Sequence, residues 1–157
     1  MIEISYKTPE ILVIKNSDKK EVLFHVQDRK VFLEDFDVTH PGEYEKSGNL
    51  LEVRNYTDIL FYKFLIDGKH LSIVTSDAFD LKEEIISFFG DIDILIIIGS
   101  KDAVKIYENI EAKVVIPYGE GKDMFLNTAG QHPEAIKSYK LNAELDGDRT
   151  EFINLEG

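Results

Sequence analysis

The 157-residue sequence has no cysteine, no tryptophan, four prolines, four histidines, and only 18 basic side chains against 30 acidic ones. Without cysteine, disulfides, thiolate metal sites and a cysteine nucleophile are all excluded. The basic side chains form no stripe, and a formal charge of -12 argues against a nucleic-acid partner, whose phosphates need clustered Lys and Arg. A charge of that sign speaks first to solubility. The longest apolar run, Ile94 to Ile98, is far too short to cross a bilayer. Met1-Ile2-Glu3-Ile4 shows no basic segment leading into an apolar stretch, so no signal peptide, no membrane partner and a cytoplasmic location are expected.

Core material is plentiful. The chain is 43% hydrophobic, with 10 Phe and 7 Tyr, which sets it apart from disordered chains of similar charge. A chain of this length buries roughly 70% of the surface its unfolded form exposes, so it needs no covalent staple. No linker, repeat or low-complexity tract divides it, and one domain over residues 1–157 is expected.

From Ile2 to Val74 short apolar runs alternate with turn signals, which is hairpin patterning. Ile11 to Ile14 and Glu21 to Val26 flank Asn16-Ser17-Asp18. Asp67-Gly68 separates Ile59 to Ile66 from Leu71 to Val74 and suits a type I′ turn; Lys46-Ser47-Gly48-Asn49 is a weaker copy. After Asp77 the period becomes helical. Asp80-Leu81-Lys82-Glu83 has the form of a capping box with Asp80 as cap, and Leu81, Ile85, Phe88 and Phe89 share one face until Gly90. Ile92 to Ile98 reads as a strand buried on both faces. Ser100 caps a second helix carrying Ala103, Ile106, Tyr107 and Ile110, and Val114 to Pro117 is the next strand. Strand, helix and strand with short connections make a βαβ unit with parallel strands and helices on an outer face. Further on, Asp123 to Ala129 predicts a short helix closed by Gly130. Lys137 to Leu141 and Glu151 to Leu155 predict strands, with a turn at Asp146-Gly147-Asp148 between them.

Several of these strings also resemble one family in register. His40-Pro41-Gly42-Glu43-Tyr44-Glu45, the following Ser47-Gly48 and the Asp67-Gly68 hairpin resemble short bacterial and archaeal members of the metallo-β-lactamase superfamily, the group of predicted zinc-dependent hydrolases. Ser72 to Asp77, Asp91 to Ile96, Lys113 to Pro117 and Thr150 to Leu155 resemble successive family strands. The resemblance implies an α+β fold, an αββα sandwich of two mostly antiparallel or mixed sheets with outer helices, here truncated.

It also implies a metal site, and the sequence lacks most of one. In the family a metal pair lowers the pKa of a bridging water toward neutrality, each metal taking about three protein ligands. Those ligands come from a His-x-His-x-Asp-His loop, an Asp after Gly, and a His after the Ile-Pro strand. Here no His-x-His or Asp-His occurs, and only a dozen or so residues separate His25 from Pro41, so the loop is deleted. Asp77 falls on the bridging-aspartate position, but Ser76 replaces the preceding Gly. After Ile116-Pro117 the family's Met-His reads Tyr118-Gly119. Asp77 is therefore a remnant metal position expected to be unoccupied. His40, Glu43, Glu45, Asp80, Tyr118 and Gly119 are the candidate lining of the former cleft.

Other constellations are thinner. His25, His40, His70 and His132 do not lie at metal-ligand spacing. Glu43 and Glu45 share one strand face, which suits acid-base work or a hard cation, and equally a wet surface. No Gly-x-Ser-x-Gly elbow is present. Gly119-Glu120-Gly121-Lys122 only hints at a phosphate loop and reads as a strand-to-helix connection.

The sequence thus points to a degenerate superfamily member acting as a binding or scaffold protein, with no catalytic residues and no cofactor. Its expected partner is a small ligand or a protein, and loss of the loop predicts bared apolar surface and a homo-oligomer. The alternative is a Zn- or Mn-dependent phosphodiesterase or lactonase with a site rebuilt around Asp77. A plainer scaffold reading has Tyr118 or Phe79 filling the cleft.

Overall fold

The computed structural model describes residues 1–141, 145 and 149–157, so the expected turn at Asp146-Gly147-Asp148 lies outside the described residues. In chain order the strands of the β-rich half are β1 (Ile2–Thr8), β2 (Ile11–Lys15), β3 (Glu21–His25), β4 (Lys30–Leu33), β5 (Phe36–Val38), β6 (Gly42–Lys46), β7 (Asn49–Tyr56), β8 (Ile59–Ile66) and β9 (Lys69–Val74). Then come α1 (Glu83–Phe89), β10 (Ile92–Ile98), α2 (Lys101–Glu108), β11 (Ala112–Tyr118), α3 (Lys122–Thr128), β12 (Ala135–Ile136), β13 (Ser138–Leu141), β14 (Glu151–Phe152) and β15 (Asn154–Leu155).

One sheet runs β13-β1-β2-β3-β4-β5 and is antiparallel throughout. The other runs β14-β11-β10-β9-β8-β7-β6. It is antiparallel from β6 to β9 and parallel across β9, β10, β11 and β14. A small third sheet pairs β12 with β15.

Period-two alternation explains how the two large sheets meet. Ile4, Ile14 and Phe24 of the first sheet face Phe64, Ile73, Ile96 and Ile116 of the second in one buried cluster. The opposite face of the second sheet, with Phe61, Leu95, Ile97 and Val115, buries the apolar sides of all three helices. This is the expected α+β sandwich, with the helices outside on the second sheet. The described residues carry no helix on the outer face of the first sheet, because its strands β1 to β5 follow one another through short turns that leave no room for a crossover.

Three hairpins use turns with positive φ at both central residues: Asp67 and Gly68 at 50° and 77°, Ser47 and Gly48 at 55° and 86°, and Thr57 and Asp58 at 54° and 61°. The first two are the type I′ turns expected from sequence. The third lacks glycine and so gave no such signal. The chain between His25 and Pro41 is not a loop but the strands β4 and β5, joined to β3 by a turn at residues 26–29.

Two local expectations are corrected. Asp80 does not cap α1: the N-cap is Lys82, without a side-chain hydrogen bond, because the Lys82 N–H folds back onto the Asp80 carbonyl at 2.9 Å and delays the helix to Glu83. Leu81, placed on the helical face, precedes the helix yet still packs beside it. Glu151 to Leu155 is not one strand. It breaks at Ile153, whose N–H binds the Val115 carbonyl at 2.9 Å, so β14 joins the large sheet and β15 the small one. The Ser100 cap holds, its Oγ accepting from the Ala103 N–H at 3.0 Å, and α3 ends before Gly130 at φ 71°.

Among the described residues no helix is long and apolar enough to cross a membrane. Their exposed large apolar side chains, Met1, Phe36, Leu50, Ile86 and Met124, belong to separate parts of the chain.

Candidate functional site

Parallel strands with short connections open a crevice at their carboxyl ends, where loops diverge. At the ends of β10 and β11 that crevice is a cleft of about 690 Å³. The second sheet contributes Ile98, Gly99 and Tyr118 through Lys122. The first contributes Tyr6, Pro9 and Glu10 from one hairpin and Val26, Gln27 and Arg29 from the β3–β4 turn; Leu155 and Gly157 close one side.

The loops after β10 and β11 touch through their backbones. The Gly99 N–H donates to the Tyr118 carbonyl at 2.7 Å, and a Cβ on Gly121 would lie 2.0 Å from the Gly99 carbonyl oxygen. Only glycine fits at either crossing position. Lys122 anchors the far side through a 3.0 Å bond from Nζ to the Leu155 carbonyl.

Tyr118 forms the floor. Its position in β11 aims it between the sheets, where its ring meets Phe24 edge-on at 5.1 Å and only 2% of the residue is exposed. Its hydroxyl has no hydrogen-bond partner among the described residues. Burial pushes the phenol well above the ordinary tyrosine range, with the nearby Arg29 charge opposing that shift. Tyr118 therefore stays an O–H donor at any physiological pH.

Of the candidate residues expected from sequence, only Tyr118 and Gly119 line this cleft. Asp77 stands one loop away, where its Oδ2 accepts the Ser100 hydroxyl at 2.7 Å and so steadies the cap of α2. Asp80 is exposed beyond it. His40, exposed before β6, is held by Thr39 at 2.7 Å, and its carbonyl accepts the Tyr44 hydroxyl at 2.5 Å. Glu43 and Glu45 lie on the solvent-facing side of β6, and Glu43 lines a separate groove with Leu50, Glu52, Lys63 and His70. Since β6 is three strands from β9, roughly 14 Å at about 4.8 Å per strand, the sheet keeps these groups apart from Asp77. Phe79 points to the helix side, packed edge-on against Phe61 at 5.0 Å.

Sequence reasoning missed Arg29 and Tyr6, and read Lys122 only as part of a strand-to-helix connection. Arg29 sits in the polar run Gln27-Asp28-Arg29-Lys30, where nothing distinguishes it from surface charge. Gly99 and Gly121 carried a usable signal, since each follows a buried strand closely.

A zinc pair does not fit these donors. Among the described residues no group of three or more His, Asp or Glu side chains could hold a metal ion. Asp77 offers one carboxylate, already bonded to Ser100, while His25 stacks on Phe32 with ring centroids 4.6 Å apart.

Comparison with solved structures places the architecture. Over 98% of this chain and 98% of the other, the structure superposes on a Thermotoga maritima protein described as a candidate Zn-dependent hydrolase of the metallo-β-lactamase superfamily, with a TM-score of 0.74 and 16% identity. The chain has the metallo-β-lactamase fold. No protein-family model matches it. No curated protein matches it either. Each chain spans nearly all of the other.

Proposed function

We propose that this metallo-β-lactamase-fold chain is a non-catalytic binding protein whose ligand occupies the cleft at the ends of β10 and β11. The observation that carries the reading is the Tyr118-Gly119 pair. Where the resemblance calls for a terminal metal-ligating histidine, a buried phenol and a residue without a side chain line the cleft instead. Support also comes from the scattering of the acidic candidates: Asp77 serves a helix cap, and Glu43 and Glu45 face solvent on an edge strand. A cleft of about 690 Å³ lies within the usual range for small-molecule sites, about 300–1,000 Å³.

The test is metal analysis of protein purified in the presence of zinc, manganese and iron, run beside a phosphodiesterase and lactonase screen. The expected result is metal far below one equivalent per chain and no turnover. A full equivalent retained after dialysis, or turnover abolished by Asp77→Ala, would overturn the reading.

A further inference from the structure

The chemistry of the cleft also narrows its ligand, on the premise that the cleft is a binding site. Its floor is Tyr118, almost fully buried, whose hydroxyl has no hydrogen-bond partner among the described residues. A buried polar group left unpaired is costly, and such groups in folded proteins call for a specific explanation. An acceptor atom supplied by a ligand is one, since Tyr118 donates and has nothing to donate to among the described residues.

Arg29 lines the same cleft from the opposing sheet. It forms no ion pair with another described residue, although six of the seven ion pairs among the described residues engage lysine or the amino terminus. A guanidinium and a phenolic O–H lining one cleft match an oxyanion, which accepts charge-assisted hydrogen bonds from both.

The remaining lining sets the rest of the ligand. Val26, Ile98 and Leu155 provide apolar wall between the polar ends. Glu10 and Glu120 stand at the exposed rim and offset Arg29 and Lys122, so the charged side chains of the lining sum to zero. One negative charge is matched by the Arg29 and Tyr118 pair, whereas a polyphosphate would meet both rim carboxylates on a chain already at -12.

We propose that the cleft binds a small organic monoanion, with a carboxylate seated on the Tyr118 hydroxyl and the Arg29 guanidinium and an apolar body against Val26, Ile98 and Leu155.

Titration of the full chain with phenylacetate, followed by amide chemical shifts, tests this beside neutral phenylacetamide and pyrophosphate. Saturable shifts at residues 26–29 and 119–122 are expected with phenylacetate. Tyr118→Phe and Arg29→Gln should each weaken it about tenfold or more, the effect of losing a hydrogen bond to a charged group. Both variants keep the side-chain volume near that of the parent, and their unchanged spectra away from the cleft verify folding. Absence of saturable shifts at the cleft, or full affinity in both variants, overturns the proposal. Equal affinity for phenylacetamide, or tighter binding of pyrophosphate, overturns the monoanion class while leaving the binding reading intact. Retained metal or turnover would fail that reading separately, whatever the titration gives.

Discussion

Replacing Gly121 by alanine tests the construction of the cleft most sharply. The added Cβ would lie 2.0 Å from the Gly99 carbonyl oxygen and 2.8 Å from its carbon, and both are backbone atoms. Ordinary contact begins above 3.4 Å, so one loop must retreat by more than 1 Å. Neither is free to do so. Gly99 is tied to Tyr118 by a 2.7 Å bond, and the Gly121 carbonyl accepts the first bond of α3 from Phe125 at 3.0 Å. Overpacking of a tight interior costs about 1–3 kcal/mol, and a backbone-to-backbone clash belongs at the top of that range. At about 2–4 °C per kcal/mol for a chain of this size, the melting temperature should fall by roughly 6–12 °C. Gly119→Ala is the control. Its Cβ meets nothing within 4 Å, and only the positive φ of 90° is strained, costing about 1–2 kcal/mol. Thermal unfolding by circular dichroism should therefore rank Gly121→Ala well below Gly119→Ala and both below the parent. If Gly121→Ala melts with or above Gly119→Ala, the two loops do not cross as described and the cleft rim is wrong.

Three further outcomes are expected. Tyr118→Phe should melt no lower than the parent without ligand, because it removes a hydroxyl with no partner among the described residues, whose burial costs about 1–3 kcal/mol; a loss exceeding about 1 kcal/mol in denaturant titration would show the hydroxyl to be bonded. Ser100→Ala should cost about 1 kcal/mol by deleting the α2 cap and stripping Asp77 of its donor, and an unchanged midpoint in urea would count against that cap. Tyr62 and Tyr139, 1% and 8% exposed, have their phenols pushed up to about 12 by burial. Above pH 10 the unfolded chain binds fewer protons at these two phenols than the folded one, so their contribution to stability is constant well below pH 10 and declines between pH 10 and 12, by on the order of 2 kcal/mol for each phenol. Tyrosinate absorbance recorded with circular dichroism checks this: titration of all seven tyrosines near pH 10 with the fold intact would refute it.

Legibility followed the range of the interactions. Hairpins closed by Asp67-Gly68 and Ser47-Gly48 were readable because turn chemistry is local and glycine or aspartate tolerates positive φ. The Thr57-Asp58 turn was not, since a β-branched residue at φ 54° is held there by the pairing of β7 with β8 rather than by preference. Ser100 could be named as a cap from sequence because its bond spans three residues, whereas Asp80 could not be excluded, because the competing Lys82-to-Asp80 turn depends on how Leu81 packs. At the site, Tyr118 and Gly119 were named because they stand where the family resemblance puts its terminal ligand. Arg29 escaped because its partner in space is 89 positions away on the other sheet, and no local pattern marks a turn residue that faces a cleft.

The same distance argument explains why the acidic candidates do not make a site. A rebuilt metal centre would need three or so oxygen or imidazole donors within bonding reach of one point. Glu43 and Glu45 are placed by β6, Asp77 by the loop after β9, and strand order fixes their separation as firmly as it fixes the core. Bringing them together would require breaking the β7–β8 and β8–β9 ladders, which bury Leu51, Tyr62, Phe64 and Ile73. Tyr118 and Arg29, by contrast, line one cleft from facing sheets, because a four-residue turn at 26–29 brings the first sheet up to the ends of β10 and β11.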